Sequence, residues 1–305
     1  MTTPAVGVRR VLVASDTRET LLDALEKAAT IEHYTGAAIE AALVIYDPIA
    51  EEPEGHFTRA ETRRIVDKIK QTELGELEAK LTPFKKRIAD LTVSILFERD
   101  VAKAIATEAG TFNADLILKP LTRSARITDL LHAPADWRLM RDAPAPVLFT
   151  RHVPWQKSVR VLAALDASDA RHEDLNREIL LHADLLAKVL GGEMHVVSSY
   201  PSLGQQMSEY QVAGDFDAIK RDMRARREAG ITTLLDDLHI TAAGVHVVEG
   251  RPRHVISELA TRIGAGLTVL GTAARRGIKK LLIGNTAEDI TRELATDLLT
   301  VRNRT

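Results

Sequence analysis

Residues 271–290 read GTAARRGIKKLLIGNTAEDI, in which Gly271, Gly277 and Gly284 punctuate a stretch carrying Arg275, Arg276, Lys279 and Lys280. Glycine at the end of a strand lets a ligand approach the backbone, and glycine in a connecting turn accepts positive φ. Asn285 is a good helix N-cap, and Glu288 three residues later completes a capping box. The spacing therefore predicts a helix that begins at Asn285–Thr286. Its free N–H groups suit an anion, and the four basic side chains supply counter-charge. The chemistry on offer is phosphate binding. Ordinary capping explains the same residues equally well, and on spacing alone that plainer reading is favoured.

A cradle of this kind needs a strand to end at Gly271, and GLTVLG (266–271) is an apolar run of the right length. In an open α/β sheet, ligands bind beyond the carboxyl ends of the strands, where the strand order reverses. The other candidates are the residues that end neighbouring strands. Leu165 and Asp166 close RVLAALD (160–166), and Ser199 lies in the Ser198–Tyr200 region. Asp166 offers an acceptor for an adenine amino group or a ribose hydroxyl. It could equally cap the next helix through DASD (166–169).

The pattern occurs twice. RVLVASD (10–16) matches RVLAALD (160–166), and ERDVAKAIATEAGTFNADLIL (98–118) resembles EGRPRHVISELATRIGAGLTVL (249–270). Glu98 and Glu249, Ile105 and Ile256, and Ala109 and Ala260 all lie 151 residues apart. This predicts a duplication, with domains at 1–152 and 153–305. Each half parses as a strand, a helix of 3.6-residue periodicity, a second strand, a charged helix, a third strand, a helix, a fourth strand, and a closing helix and strand. Strands alternating with helices imply right-handed crossovers and a doubly wound parallel sheet. The last strand of each half is an edge, and edges invite pairing, so a pseudo-twofold arrangement of the halves within the chain is expected.

Composition narrows the function. The chain of 305 residues is 45% hydrophobic and 28% charged, an ordinary globular balance. A net charge of −2 and 4% aromatics argue against nucleic-acid binding. The absence of cysteine removes disulfides, thiolate nucleophiles and zinc–sulfur sites, and suits a reducing cytosol. No signal peptide is read at the N-terminus, and no apolar run approaches the roughly 18 residues of a membrane span. The ten histidines form no H-E-x-x-H pair, the serines no G-x-S-x-G elbow, and no G-x4-G-K-[ST] is present. The histidines are expected to be scattered or satisfied, and the chain is expected not to be an enzyme.

The duplication, the order of elements and the 271–290 loop together resemble the universal stress protein family, over essentially the whole chain. The similarity is to its tandem-domain E type in particular, through GNTAE (284–288), YP (200–201) and PADW (134–137). The resemblance implies two adenine nucleotide alpha hydrolase-like, Rossmann-like domains, forming an intramolecular pseudo-dimer that further homodimerisation could extend. It also implies a cytoplasmic stress-response role, with ligand binding rather than catalysis. Nucleotide-binding members carry the loop G-x2-G-x9-G-[ST]. Gly271 and Gly284 match its first and third glycines, Ala274 replaces the second, and Asn285, followed by Thr286, replaces the Ser/Thr. Gly277 matches a further glycine common in the family, and Asp166 matches the strand-end Asp that contacts adenine. The methyl group of Ala274 stands where backbone would approach phosphate, and it costs roughly 1 kcal/mol if φ there must be positive. ATP or AMP is therefore expected to bind weakly, in the second half. The alternative is a nucleotide-independent scaffold or a carrier of a small apolar ligand. Slow ATP hydrolysis is the third reading, disfavoured by the missing general base and carboxylate cluster.

The first half has Asp16 at the matching strand end but no glycine loop. No glycine occurs from Thr111 to Leu190, and KPLTRSARITDLLHAPADW (119–137) stands where the loop would be. Pro120 removes a backbone donor. This half is expected to be structural or dimerising, with Leu130, Leu131 and Trp137 as core residues, an apolar patch or a filling of the pseudo-dimer seam, the core reading being favoured.

Overall fold

The computed structural model describes residues 7–51, 57–121, 135–200, 216–272 and 294–303. The chain divides between Pro154 and Trp155 into two compact units.

The first unit runs β1 (Arg10–Ser15), α1 (Arg18–Thr35), β2 (Ala38–Ile45), a 3-10 turn (Pro48–Glu51), α2 (Arg59–Lys85), β3 (Leu91–Phe97), α3 (Val101–Phe112), β4 (Leu116–Pro120), α4 (Ala135–Asp142) and β5 (Val147–Thr150). Its strands lie in the order β3-β2-β1-β4-β5, and all neighbours are parallel. The second unit runs β6 (Arg160–Ala164), a 3-10 turn (Ala170–His172), α5 (Glu173–Val189), β7 (Met194–Tyr200), α6 (Phe216–Asp237), β8 (Gly244–Glu249), α7 (Pro252–Ile263), β9 (Ala265–Gly271) and β10 (Asp297–Val301). Its order is β8-β7-β6-β9-β10, again parallel throughout. The α/β class and the repeated parallel sheet agree with the reading of the sequence, and the apolar runs at 10–16, 160–166 and 266–271 form strands over Arg10–Ser15, Arg160–Ala164 and Ala265–Gly271.

Hydrophobic burial explains why the strands form where they do. Val11, Leu12, Val13 and Ala14 are fully buried, as are Val161, Leu162 and Ala163. Unbroken burial, in place of alternation, is what a parallel strand covered on both faces requires. The helices are stopped by local chemistry. Thr17 caps α1 by accepting from the Thr20 N–H, and Gly36 ends it in the left-handed region, with φ 65°. Thr58 and Glu61 form a capping box at the start of α2.

Buried ionisable side chains of the first unit include Lys119, Asp136 and Glu40. Lys119 and Asp136 are almost fully buried and form an ion pair of 2.6 Å, and Lys119 Nζ also donates to the Pro120 carbonyl at 3.0 Å. Glu40 is buried on β2. Burial, and then the charge of Glu108, push its carboxyl above the usual carboxylate range, while the Ser94 hydroxyl opposes the shift. A raised carboxyl pKa means that the folded state prefers the protonated form. Its contribution is fully present in acid and is lost as pH rises through the folded value. Glu40→Gln should therefore stabilise the protein near neutral pH, by on the order of 1 kcal/mol. In denaturant titrations the gain should shrink toward zero near about pH 4.

Candidate functional site

The strand order reverses between β6 and β9, and the switch point of the second unit lies there. Ala164 pairs with Val197 on β7 and with Leu270 on β9, so the three chain exits stand at one height. Leu165, Asp166, Ser199 and Gly271 are thus brought to one edge. Ala274, Arg275, Gly277, Gly284, Asn285 and Thr286, together with the helix start expected at Asn285, lie outside the described residues. So do Leu130 and Leu131 of the first half.

Leu165 continues β6 by donating its N–H to the Val197 carbonyl at 2.8 Å, and it is buried. The backbone of the next residue is fixed by a side chain that the sequence did not advertise. Asn176, in the first turn of α5 and 6% exposed, accepts from the Asp166 N–H at 3.1 Å and donates Nδ2 to the Asp166 carbonyl at 2.9 Å. This two-point clamp sets the direction in which Asp166 leaves the sheet. Its carboxylate accepts from the N–H and hydroxyl of Ser168, an Asx-type turn, and faces His172 Nδ1 at 2.9 Å. The Asp166 side chain is still 59% exposed. The capping role that DASD suggested for Asp166 belongs instead to Asp169, which accepts from the Arg171 N–H at 2.8 Å. The Arg171 guanidinium holds the Asp169 carboxyl far below the usual range. Asp169 is therefore ionised at any physiological pH.

Ser199 is half-buried on β7, opposite Val248, while Ser198 points into the core. Gly271 is the last residue of β9 and pairs with Val301. A methyl group on Gly271 would stand 2.6 Å from Leu175 Cδ2 and 2.7 Å from its Cγ. The close approach that this glycine permits is thus made by a leucine of α5. Gly271→Ala should cost about 1–2 kcal/mol through overpacking, and Leu175→Ala in the same chain should recover most of it. Thermal melts of the two variants check this.

Beside Asp166 lies a cleft of about 330 Å³, between the β6 exit, the start of α5 and α6. Leu165, Ala167, Ile231 and Leu234 supply its apolar wall, and Asp169, Glu173 and Asp237 its charge. Arg177 is tied to Glu173 at 2.9 Å and to Asp237 at 3.2 Å. Among the described residues no lysine or arginine lines the cleft. The contribution of α6 went unread in the sequence, although Ile231, Leu234 and Leu235 have the spacing of one helical face.

The matching edge of the first unit is built differently. Pro120 pairs with Thr150 as Gly271 pairs with Val301, so the proline occupies the position of the glycine. Lys119 beside it is consumed by the buried pair with Asp136 of α4, the Asp of PADW. A cleft of about 380 Å³ opens at the ends of β1, β2 and β3, with Asp16, Asp47, Glu73 and Glu98 on its rim and, among the described residues, Arg99 as the one basic residue of its lining. Glu73 is paired with Arg18 and Glu98 with Lys103, which leaves Asp16 and Asp47 facing one guanidinium, a weakly unfavourable field for a polyphosphate. Among the described residues no group of three or more His, Cys, Asp or Glu side chains could hold a metal ion, and no helix is long and apolar enough to cross a membrane.

Comparison with known proteins agrees with this architecture. The universal stress protein family model matches residues 7–151 and again 159–302. The chain is 29% identical over 275 residues to the universal stress protein E homolog of Haemophilus influenzae, covering 88% of this chain and 87% of that protein. It is 28% identical over 310 residues to universal stress protein E of Photorhabdus laumondii, covering 96% and 95% respectively. A universal stress protein from Archaeoglobus fulgidus shares the fold, with a TM-score of 0.65 at 18% identity, over 98% of this chain and 97% of that one. The chain belongs to the universal stress protein family and carries two copies of its domain in tandem.

Proposed function

We propose that the protein is a cytoplasmic, non-catalytic binding protein of the stress response, which takes an adenine nucleotide weakly at the carboxyl edge of its second half. The observation that supports this reading most is Asp166. It ends the central strand at the switch point, its backbone is clamped by buried Asn176, and its carboxylate stays largely open to solvent. An exposed acceptor on a rigid mount can receive an adenine amino group or a ribose hydroxyl with little ordering cost. Weakness has two sources: the Asp166 carboxylate must exchange its contacts with Ser168 and His172, and Ala274 replaces the second glycine of the family's loop pattern.

A second reading rests on Leu175. With that side chain against Gly271 and an apolar wall in the neighbouring cleft, the loop would be a relic, and the half a scaffold or a carrier of a small apolar ligand. Repairing the loop distinguishes the two. Ala274→Gly with Asn285→Ser should tighten ATP binding by roughly tenfold, and adding Gly284→Val should abolish the gain. A folded double variant with unchanged affinity in calorimetry would favour the second reading.

A further inference from the structure

His195 on β7 and His246 on β8 are 51 residues apart in sequence, yet their rings meet, with His195 Nδ1 3.3 Å from His246 Nε2. The rings are nearly parallel, at 26°, with centroids 5.6 Å apart. The register explains how. His195 pairs with Gly244 and Val197 with His246, so the two imidazoles are diagonal neighbours on one face. Gly244 leaves the space between them open, since a methyl group there would lie 3.0 Å from His246 Nε2 and 3.1 Å from His195 Nδ1. β8 is the outermost strand of its unit. At its carboxyl end Glu249 is tied to Lys220 of α6 at 3.0 Å, and the histidine contact ties its amino end.

We propose that the His195–His246 pair is an acid-sensitive catch, which pins the outer strand of the second half near neutral pH and lets it loosen in mild acid. A neutral pair, or a pair sharing one proton, has an N–H on one ring and a lone pair on the other, and it holds as a hydrogen bond. A second proton leaves two donors and no acceptor, with two positive rings in contact. Charged groups surround the pair. Glu193 Oε2 lies 3.8 Å from His195 Nε2 and also faces Arg160 of β6 at 3.8 Å. Burial, then His195, then Arg262 of α7 hold His246 below the usual histidine range. A lowered histidine pKa means that the opened strand takes up the proton more readily than the closed one. Closure is therefore favoured above about pH 6.5 and is progressively lost as pH falls below it, at most tenfold per unit for one proton.

The first half is a built-in control. Ile39 pairs with Val11 as Met194 pairs with Val161, so Glu40 stands where His195 stands. Glu40 pairs with Thr92, which places Ser94 where His246 stands. Glu40 favours its protonated form when buried, so the same change of pH pushes the two outer strands in opposite directions.

Hydrogen exchange of the intact protein at about pH 7.5 and about pH 5.5, corrected for intrinsic rates, tests the catch. Amides of β8 should lose roughly tenfold more protection in acid than those of β3. His246→Gln and His195→Gln should each flatten that difference. An equal acid response in β8 and β3 of the unmodified protein would overturn the proposal, and so would an undiminished β8 response in both variants.

Discussion

Asp136→Ala should destabilise the first half by about 3–5 kcal/mol, the cost of leaving a buried ammonium without the carboxylate that balances its charge. Lys119 is 1% exposed and its ammonium contacts Asp136 at 2.6 Å. Lys119 Nζ keeps its bond to the Pro120 carbonyl but loses the carboxylate that balances its charge. The comparison that isolates the charge is Lys119→Met with Asp136→Leu. Removing both charges abolishes the desolvation penalty, so this pair should regain most of the stability lost in Asp136→Ala, as buried ion pairs replaced by apolar groups commonly do. Chemical unfolding of the three proteins measures the difference. A loss below about 1 kcal/mol in Asp136→Ala would mean that the pair is better solvated than its burial indicates.

Asn176→Leu should cost about 2–3 kcal/mol and weaken any ligand held by Asp166. Both polar ends of Asn176 are used, one by the Asp166 N–H and the other by its carbonyl. Each bond contributes on the order of 1 kcal/mol, with a further penalty for the backbone groups left without partners. The loss of affinity should exceed the loss seen with Asp169→Ala, because Asp169 lines the cleft and caps the short turn at Ala170–His172 but does not hold the Asp166 backbone. Measuring both variants at a temperature where each is folded separates misplacement of Asp166 from general instability.

The fold was legible because apolar strands such as RVLVASD and RVLAALD record burial on both faces, and because the constant 151-residue offset records the duplication. The strand-end candidates were legible for the same reason, since a switch point follows from strand order. The residues that hold the site were not. Asn176 sits in EDLNREIL, where a lone amide reads as an ordinary polar position, and only the turn of α5 onto the β6 exit shows its use. Gly271 reads as room for a ligand, yet the neighbour that demands a glycine is Leu175. Asp136 reads as part of a short motif, and its lysine partner lies 17 residues away on a buried strand end. The histidines read as scattered, but the register of β7 on β8 brings two of them into contact. Each of these depends on a tertiary meeting that no local spacing encodes.

The central claim is that an adenine nucleotide binds weakly at the carboxyl edge of the second half and nowhere in the first. Calorimetric titration of ATP and AMP into the intact protein, into Asp166→Ala and into Asp16→Ala tests it most directly. The expected result is one saturable site with a Kd on the order of 100 µM, lost in Asp166→Ala and unchanged in Asp16→Ala. Absence of binding at millimolar nucleotide, a stoichiometry of two, or full affinity in a folded Asp166→Ala protein would contradict it.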